Sequence, residues 1–185
     1  KEINYKEYSI LITILLYAMD RIANTVGHYD AYRKKIEFDK KLYLGIMLPN
    51  KNLNKNNKCY NKDANELIKN INCDLLYLDP PYNSRQYSDA YHLLENIAKW
   101  KKTEVFGVAR KMDRKAIKSS YCTIEATQKF RELIENTNTR YILLSYNNMS
   151  KKGDDRSNAK ISDKDILEIL EKKGKVKIFE EEHKM

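Results

Sequence analysis

Residues 74–87 read Asp-Leu-Leu-Tyr-Leu-Asp-Pro-Pro-Tyr-Asn-Ser-Arg-Gln-Tyr. Asp74 to Leu78 form a compact, mostly apolar run that stops at Asp79. A short apolar run without alternation predicts a buried strand, and burial on both faces points to a parallel sheet. Pro80 and Pro81 cannot continue a hydrogen-bonded ladder and force an extended loop. A helix is predicted next, capped by Ser88, with Ala90, Leu93, Leu94, Ile97 and Ala98 on its apolar face. Open α/β sheets keep their ligands at the carboxyl ends of the strands. Asp79 stands at such an end.

The same alternation extends in both directions. Residues 5–26 predict a helix with apolar residues on most of its circumference: Ile10, Ile14 and Tyr17 on one stripe, Leu11, Leu15 and Ile22 on the next. That pattern predicts deep burial. Leu42 to Leu48 reads as a strand closed by Pro49, residues 50–58 as an exposed turn, and Asp63 to Asn70 as a short helix. Residues 101–121 read as an irregular excursion. Thr123 is the expected cap of a helix with the stripe Ala126, Phe130, Leu133 and Ile134. Tyr141 to Tyr146 predicts a strand. Ser162 with Asp165 starts a helix carrying Ile166, Ile169 and Leu170, stopped by Gly174, and Val176 to Phe179 predicts a last strand. Strands alternating with helices predict an α/β fold, a mostly parallel sheet flanked by helices.

The chain has 185 residues, enough for one domain and short for two. Its net charge of +9 suits a polyanionic partner, although a Lys- and Asn-rich composition also makes chains basic without such a partner. Cys59, Cys73 and Cys122 form no C-x-x-C pair, so no zinc site is expected, and the odd count fits a reducing cytoplasm. The apolar run Tyr8 to Met19 is shorter than the roughly 20 residues of a membrane span. His28 and His92 lack clustered acidic or thiol partners in sequence, so no metal is expected, and His92, on the helix after the loop, reads as structural.

The loop Asp79-Pro80-Pro81-Tyr82 fits one chemistry well. An exocyclic amino group on a base is a poor nucleophile because its lone pair is delocalised into the ring. Two acceptors that take both N–H bonds release that lone pair. The Asp79 carboxylate and the Pro80 carbonyl supply such a pair, held rigid by the two prolines. Tyr82 supplies an aromatic face, and stacking a base is worth ~1–3 kcal/mol. A base in duplex DNA reaches such a pocket only when flipped out. The plainer reading is a strand followed by a Pro-Pro turn.

The extended string Leu76 to Tyr87, its continuation through Ser88 to Trp100, Ala23 to Gly27 and Tyr141 to Asn148 together resemble the DPPY-type DNA adenine methylases of bacterial restriction–modification systems. That resemblance implies a Rossmann-like methyltransferase fold, S-adenosylmethionine as cofactor, and transfer of a methyl group to a flipped adenine in duplex DNA. It implies catalytic roles for Asp79, Pro80, Pro81 and Tyr82, and a cofactor-binding set of Asp63, Ala64 and Asp79. Asp63 corresponds to the family's acidic residue against the cofactor's adenine. Asp63 is also a good helix cap, and both roles hold together. A cognate restriction endonuclease is the partner such a system implies. The family's F-x-G-x-G loop has no counterpart, because no two of the five glycines form G-x-G. Residues 1–185 are therefore expected to be one methyltransferase domain, partial at both ends, with little activity alone.

The DNA-contacting part is expected in 101–121, where Lys111, Arg114 and Lys115 suit phosphate contacts, with Arg85 and Gln86 beside the catalytic loop. The alternative for 101–121 is a solvated surface loop, and for Arg85 and Gln86 a role in holding the loop. Ser145 and Asn147 are expected at the edge of the site. Two other functions remain open. One is amino methylation of cytosine, RNA or protein glutamine, against which Asp at position 79 favours adenine. The other is a non-catalytic DNA-binding part, or one half of a split enzyme.

Overall fold

The computed structural model describes residues 2–25, 27–31, 40–46, 50, 52–53, 55–108, 110–147 and 160–180. In chain order the elements are α1 (Tyr5–Ile22), α2 (Ala64–Ile68), β1 (Asn72–Leu78), α3 (Tyr87–Ala90), α4 (His92–Ala98), α5 (Ala126–Glu135), β2 (Asn138–Leu144) and α6 (Asp163–Glu171). Single 3-10 turns lie at Lys115–Ile117 and Ser120–Cys122. The elements fall into two compact units: residues 1–59 with 86–118, and residues 60–85 with 119–185.

The second unit is α/β. Its strands β1 and β2 pair in parallel, from Asn72 opposite Asn138 to Leu78 opposite Leu144. Pleating sends alternate side chains to opposite faces. Leu76, Leu78, Ile142 and Leu144 pack against the core, where Phe130, Ile134 and Ile161 are fully buried. Leu75, Tyr77, Tyr141 and Leu143 lie on the opposite face and are exposed. Burial on both faces, expected from the apolar run, is thus met on one face among the described residues.

The stripe predicted for α5 is the one buried: Ala126, Phe130, Leu133 and Ile134. Its start differs. Thr123 caps the turn before the helix, accepting from the Glu125 amide at 3.2 Å, and α5 begins without a side-chain cap. At α6, Ser162 accepts from the Asp165 amide at 3.1 Å, as its spacing predicted. The helix ends at Glu171, and the Gly174 amide reaches back to the Leu170 carbonyl at 3.1 Å. β2 starts at Asn138, three residues ahead of the apolar run, because pairing with Asn72 and Cys73 draws Asn138 and Thr139 into the ladder. Val176 to Phe179 is not a strand; it runs exposed, without a ladder partner among the described residues.

In the first unit, α1 opens with a capping box in which Asn4 and Glu7 bond each other's amides at 3.0 and 2.9 Å. It packs against α4. That contact covers one stripe, so Ile14 and Ala18 are buried while Ile10, Leu11 and Tyr17 are exposed. The deep burial expected of this helix is not observed. It also ends at Ile22 rather than 26, where Ala23 turns extended.

The helix predicted from Ser88 onward starts at Tyr87 and breaks at Tyr91, between α3 and α4. The Ala90 carbonyl, which would serve the next turn, accepts instead from the Tyr29 amide at 2.8 Å. Residues 42–46 form no strand and are mostly exposed; Met47 to Pro49 lie outside the described residues. The described residues of 50–58 are exposed, with a turn at Asn52 and Leu53. Among the described residues, no helix is long and apolar enough to cross a membrane.

Candidate active site

Asp79 leaves the carboxyl end of β1 in the second unit. The ladder runs to the last residue before it, since the Ser145 amide donates to the Leu78 carbonyl at 2.9 Å. A residue directly beyond such a bond has little freedom at its backbone nitrogen. Asp79 itself is exposed, Pro80 and Pro81 are half-buried, and Tyr82 is 38 % exposed. An exposed carboxylate, a rigid proline carbonyl and an accessible ring are what acceptance of an amino group and stacking require. Ser145 lies beside this end of β1, and Asn147 is exposed two residues further on.

The loop continues as an Asx turn in which Asn83 accepts from the Arg85 amide at 2.9 Å. Arg85 is exposed, and its carbonyl is met by the Cys122 thiol at 3.3 Å. Gln86 opens the other unit. It is buried and stands at the N-terminus of α3, where its carbonyl accepts from the Asp89 and Ala90 amides at 2.9 and 3.2 Å.

Asp63 is the N-cap of α2. Its Oδ1 accepts from the Asn65 amide at 2.9 Å and the Glu66 amide at 3.2 Å. Ala64 is the first residue of the helix and exposed. Behind them Asn65 is 4 % exposed, and its Nδ2 donates to the Lys129 carbonyl of α5 at 2.9 Å. The Tyr121 hydroxyl donates to Asn65 Oδ1 at 2.9 Å, with the Lys129 carbonyl 3.2 Å away. Burial, with the nearby Asp63 and Glu132 carboxylates, pushes the Tyr121 phenol well above its ordinary range. Neither Asn65 nor Tyr121 stood out in the sequence, because 56 residues separate them.

The basic segment 101–118 lies in the first unit. Phe106 and Lys111 close a tight antiparallel turn there, with amide–carbonyl bonds of 2.8 and 3.1 Å. Lys111 pairs with Asp30. Arg114 Nε lies 3.0 Å from Asp89 Oδ1, and its Nη1 lies 3.8 Å from Asp30. The Arg114–Asp89 approach lacks hydrogen-bond alignment, so it acts as an ion pair. Lys115 is exposed. His92 is buried, with Nδ1 3.0 Å from the Asp89 carbonyl, which is a structural role.

The Asp63 carboxylate uses one oxygen for its two cap bonds, a geometry that leaves a second oxygen for a hydroxyl or amino group. Among the described residues, no group of three His, Cys, Asp or Glu is placed to hold a metal ion.

Residues 1–155 match the family model of the D12 class N6 adenine-specific DNA methyltransferases. The chain is 39 % identical over 168 residues to the modification methylase StsI of Streptococcus sanguinis, covering 89 % of this chain and 24 % of that protein. It is 42 % identical over 148 residues to the type II methyltransferase M.FokI of Planomicrobium okeanokoites, covering 78 % of this chain and 23 % of that one. The type II methyltransferase M.NlaIII of Neisseria lactamica is 34 % identical over 179 residues, 96 % of this chain and 50 % of its own length. The chain thus spans a quarter to a half of these relatives. No solved structure matches it significantly.

Proposed function

Because this chain belongs to the family of D12 class N6 adenine-specific DNA methyltransferases, we propose that it carries the catalytic loop of an enzyme that methylates the amino group of adenine in duplex DNA. The single observation behind this reading is Asp79-Pro80-Pro81-Tyr82 at the carboxyl end of a parallel strand, with Asp79 and Tyr82 exposed. The family's chemistry requires a methyl donor, and S-adenosylmethionine supplies an electrophilic methyl group on sulfur.

The flipped adenine stacks on Tyr82. Asp79 and the Pro80 carbonyl accept its two amino protons, and Pro81 keeps the loop rigid. Asp63, with Ala64, bounds the adenosine end of the cofactor. The sheet belongs to a Rossmann-like methyltransferase domain of which residues 1–185 are part. Phosphate contacts fall to the exposed Arg85 and Lys115. Lys111 and Arg114 serve through the shape that Asp30 and Asp89 hold them in, and Gln86 through its place at the start of α3. The enzyme works in a reducing cytoplasm, as the modification half of a restriction–modification pair with a cognate endonuclease.

The test is methyl transfer from labelled S-adenosylmethionine by the intact protein onto duplex DNA, RNA and protein, followed by mass spectrometry of the product. N6-methyladenine in duplex DNA is expected. Label on cytosine, RNA or glutamine moves the substrate assignment. DNA binding without any transfer supports a non-catalytic part.

A further inference from the structure

The 3-10 turn Ser120–Cys122 touches two parts of the candidate site within one unit. Its Tyr121 hydroxyl bonds Asn65, the residue whose amide is capped by Asp63. Its Cys122 thiol meets the Arg85 carbonyl at the far end of the catalytic loop. The turn is itself fixed: Ser119 accepts from the Tyr121 amide at 3.2 Å, and the Thr123 hydroxyl donates to the Ser120 carbonyl at 2.8 Å. Cys122 is buried, and Asn65 is almost wholly so. α2 is only five residues long, too short to hold its own orientation. Ile68 seats its far end in the core, and the side chain of Asn65, held between the Tyr121 hydroxyl and the Lys129 carbonyl with Glu132 alongside, fixes its N-terminal end.

We propose that Tyr121 is a positioning residue for the methyl-donor site: through Asn65 it fixes the N-terminus of α2, and with it the Asp63 carboxylate. The inference rests on the reading that Asp63 contacts the cofactor. Removing the Tyr121 hydroxyl leaves Asn65 Oδ1 buried without that donor, and the side chain of Asn65 is then held through its Nδ2 alone. Asp63 keeps its cap bonds but loses its fixed place against α5.

Tyr121→Phe in the intact protein is the variant to measure, with calorimetric titration of S-adenosylmethionine. Its dissociation constant is expected to rise about tenfold, the effect of one buried hydrogen bond. The rate at saturating cofactor is expected to stay near the parental value. Hydrogen exchange at the Asn65 and Glu66 amides should speed up. Phe130→Leu, in the core of the same unit, controls for general destabilisation: it should lower thermal stability without moving cofactor affinity. Asp63→Ala combined with Tyr121→Phe should bind no more weakly than Asp63→Ala alone, because both act on one contact. Parental affinity in Tyr121→Phe, while Asp63→Ala binds weakly, overturns the positioning role and leaves the Asp63 reading standing. Parental affinity in both variants overturns the two together. Additive losses in the double variant show that Tyr121 acts elsewhere, and also overturn the proposal.

Discussion

The Ser145 amide donates to the Leu78 carbonyl at 2.9 Å, so β1 is bonded up to the residue that precedes Asp79. The carboxylate therefore projects from the end of a sheet rather than from the middle of a loop. Catalysis by preorganised acceptors depends on that kind of anchoring, since reorganisation at the moment of reaction removes the advantage. Asp79→Ala is expected to cut methyl transfer by about a hundredfold or more. Because Asp79 is exposed, the melting temperature should hardly change. Turnover near the parental rate in the folded variant would remove Asp79 from the chemistry.

Tyr82 is proposed to stack on the target base, which needs the ring and not the hydroxyl. Tyr82→Ala should weaken productive binding of duplex DNA, and Tyr82→Phe should be mild. The comparison is made in single-turnover assays. Equal impairment of the two variants points to the hydroxyl and sinks stacking.

The basic segment divides into two kinds of side chain. Lys115→Ala is expected to lower the log–log salt slope of DNA affinity by about 0.9, the loss of one phosphate contact. Arg114→Ala should instead destabilise the first unit by about 1–3 kcal/mol, because it strips Asp89 of its ion partner. Urea denaturation and filter binding across a salt series separate these effects. An unchanged slope for Lys115→Ala makes this stretch an ordinary surface loop.

Two tyrosines predict the alkaline limb of the stability curve. Burial, followed by the hydrogen bond to Asp20, raises the Tyr29 phenol, and burial raises Tyr121. Both stay neutral to higher pH in the folded protein than in the unfolded chain, which ionises near the ordinary value of 10.0. Their contribution is present below that pH and is lost as pH rises through it toward the raised folded values. Tyr29→Phe and Tyr121→Phe should each flatten the fall in melting temperature above that point. A limb as steep as the parental one in both variants contradicts the assignment.

Phe130 is 1 % exposed at the centre of the α5 stripe. Phe130→Ala should cost about 3–5 kcal/mol in chemical denaturation, from lost transfer energy and the cavity left behind. A cost below about 1 kcal/mol would mean that the site collapses freely and the packing is loose.

Local signals were legible in the sequence where local physics decided the outcome. The α5 stripe, the Ser162 cap, the strand that ends at Asp79 and the Asp63 cap all follow from spacing within a few residues. The break at Tyr91 does not, because Tyr29 takes the Ala90 carbonyl from 61 positions away in sequence. The apolar circumference of α1 predicts burial, but how much is met depends on how many neighbours arrive. Val176 to Phe179 has the composition of a strand, and a ladder needs a partner that composition does not supply. The family resemblance located the Asp79 loop. The partners of Lys111 and Arg114, like the clamp on Asn65, exist only once distant segments meet.

The sheet face that carries Leu75, Tyr77, Tyr141 and Leu143 has a practical consequence. Registered side by side, Leu75 with Tyr141 and Tyr77 with Leu143, these side chains form one continuous oily strip rather than scattered spots. Handled as a 185-residue polypeptide, the protein should light up environment-sensitive dyes such as anilinonaphthalene sulfonate. It should also be retained on hydrophobic chromatography media and recruit chaperones during expression. Replacing Leu75 and Leu143 with threonine, a polar residue whose β-branched shape strands favour, should quiet all three behaviours without touching the loop at Asp79.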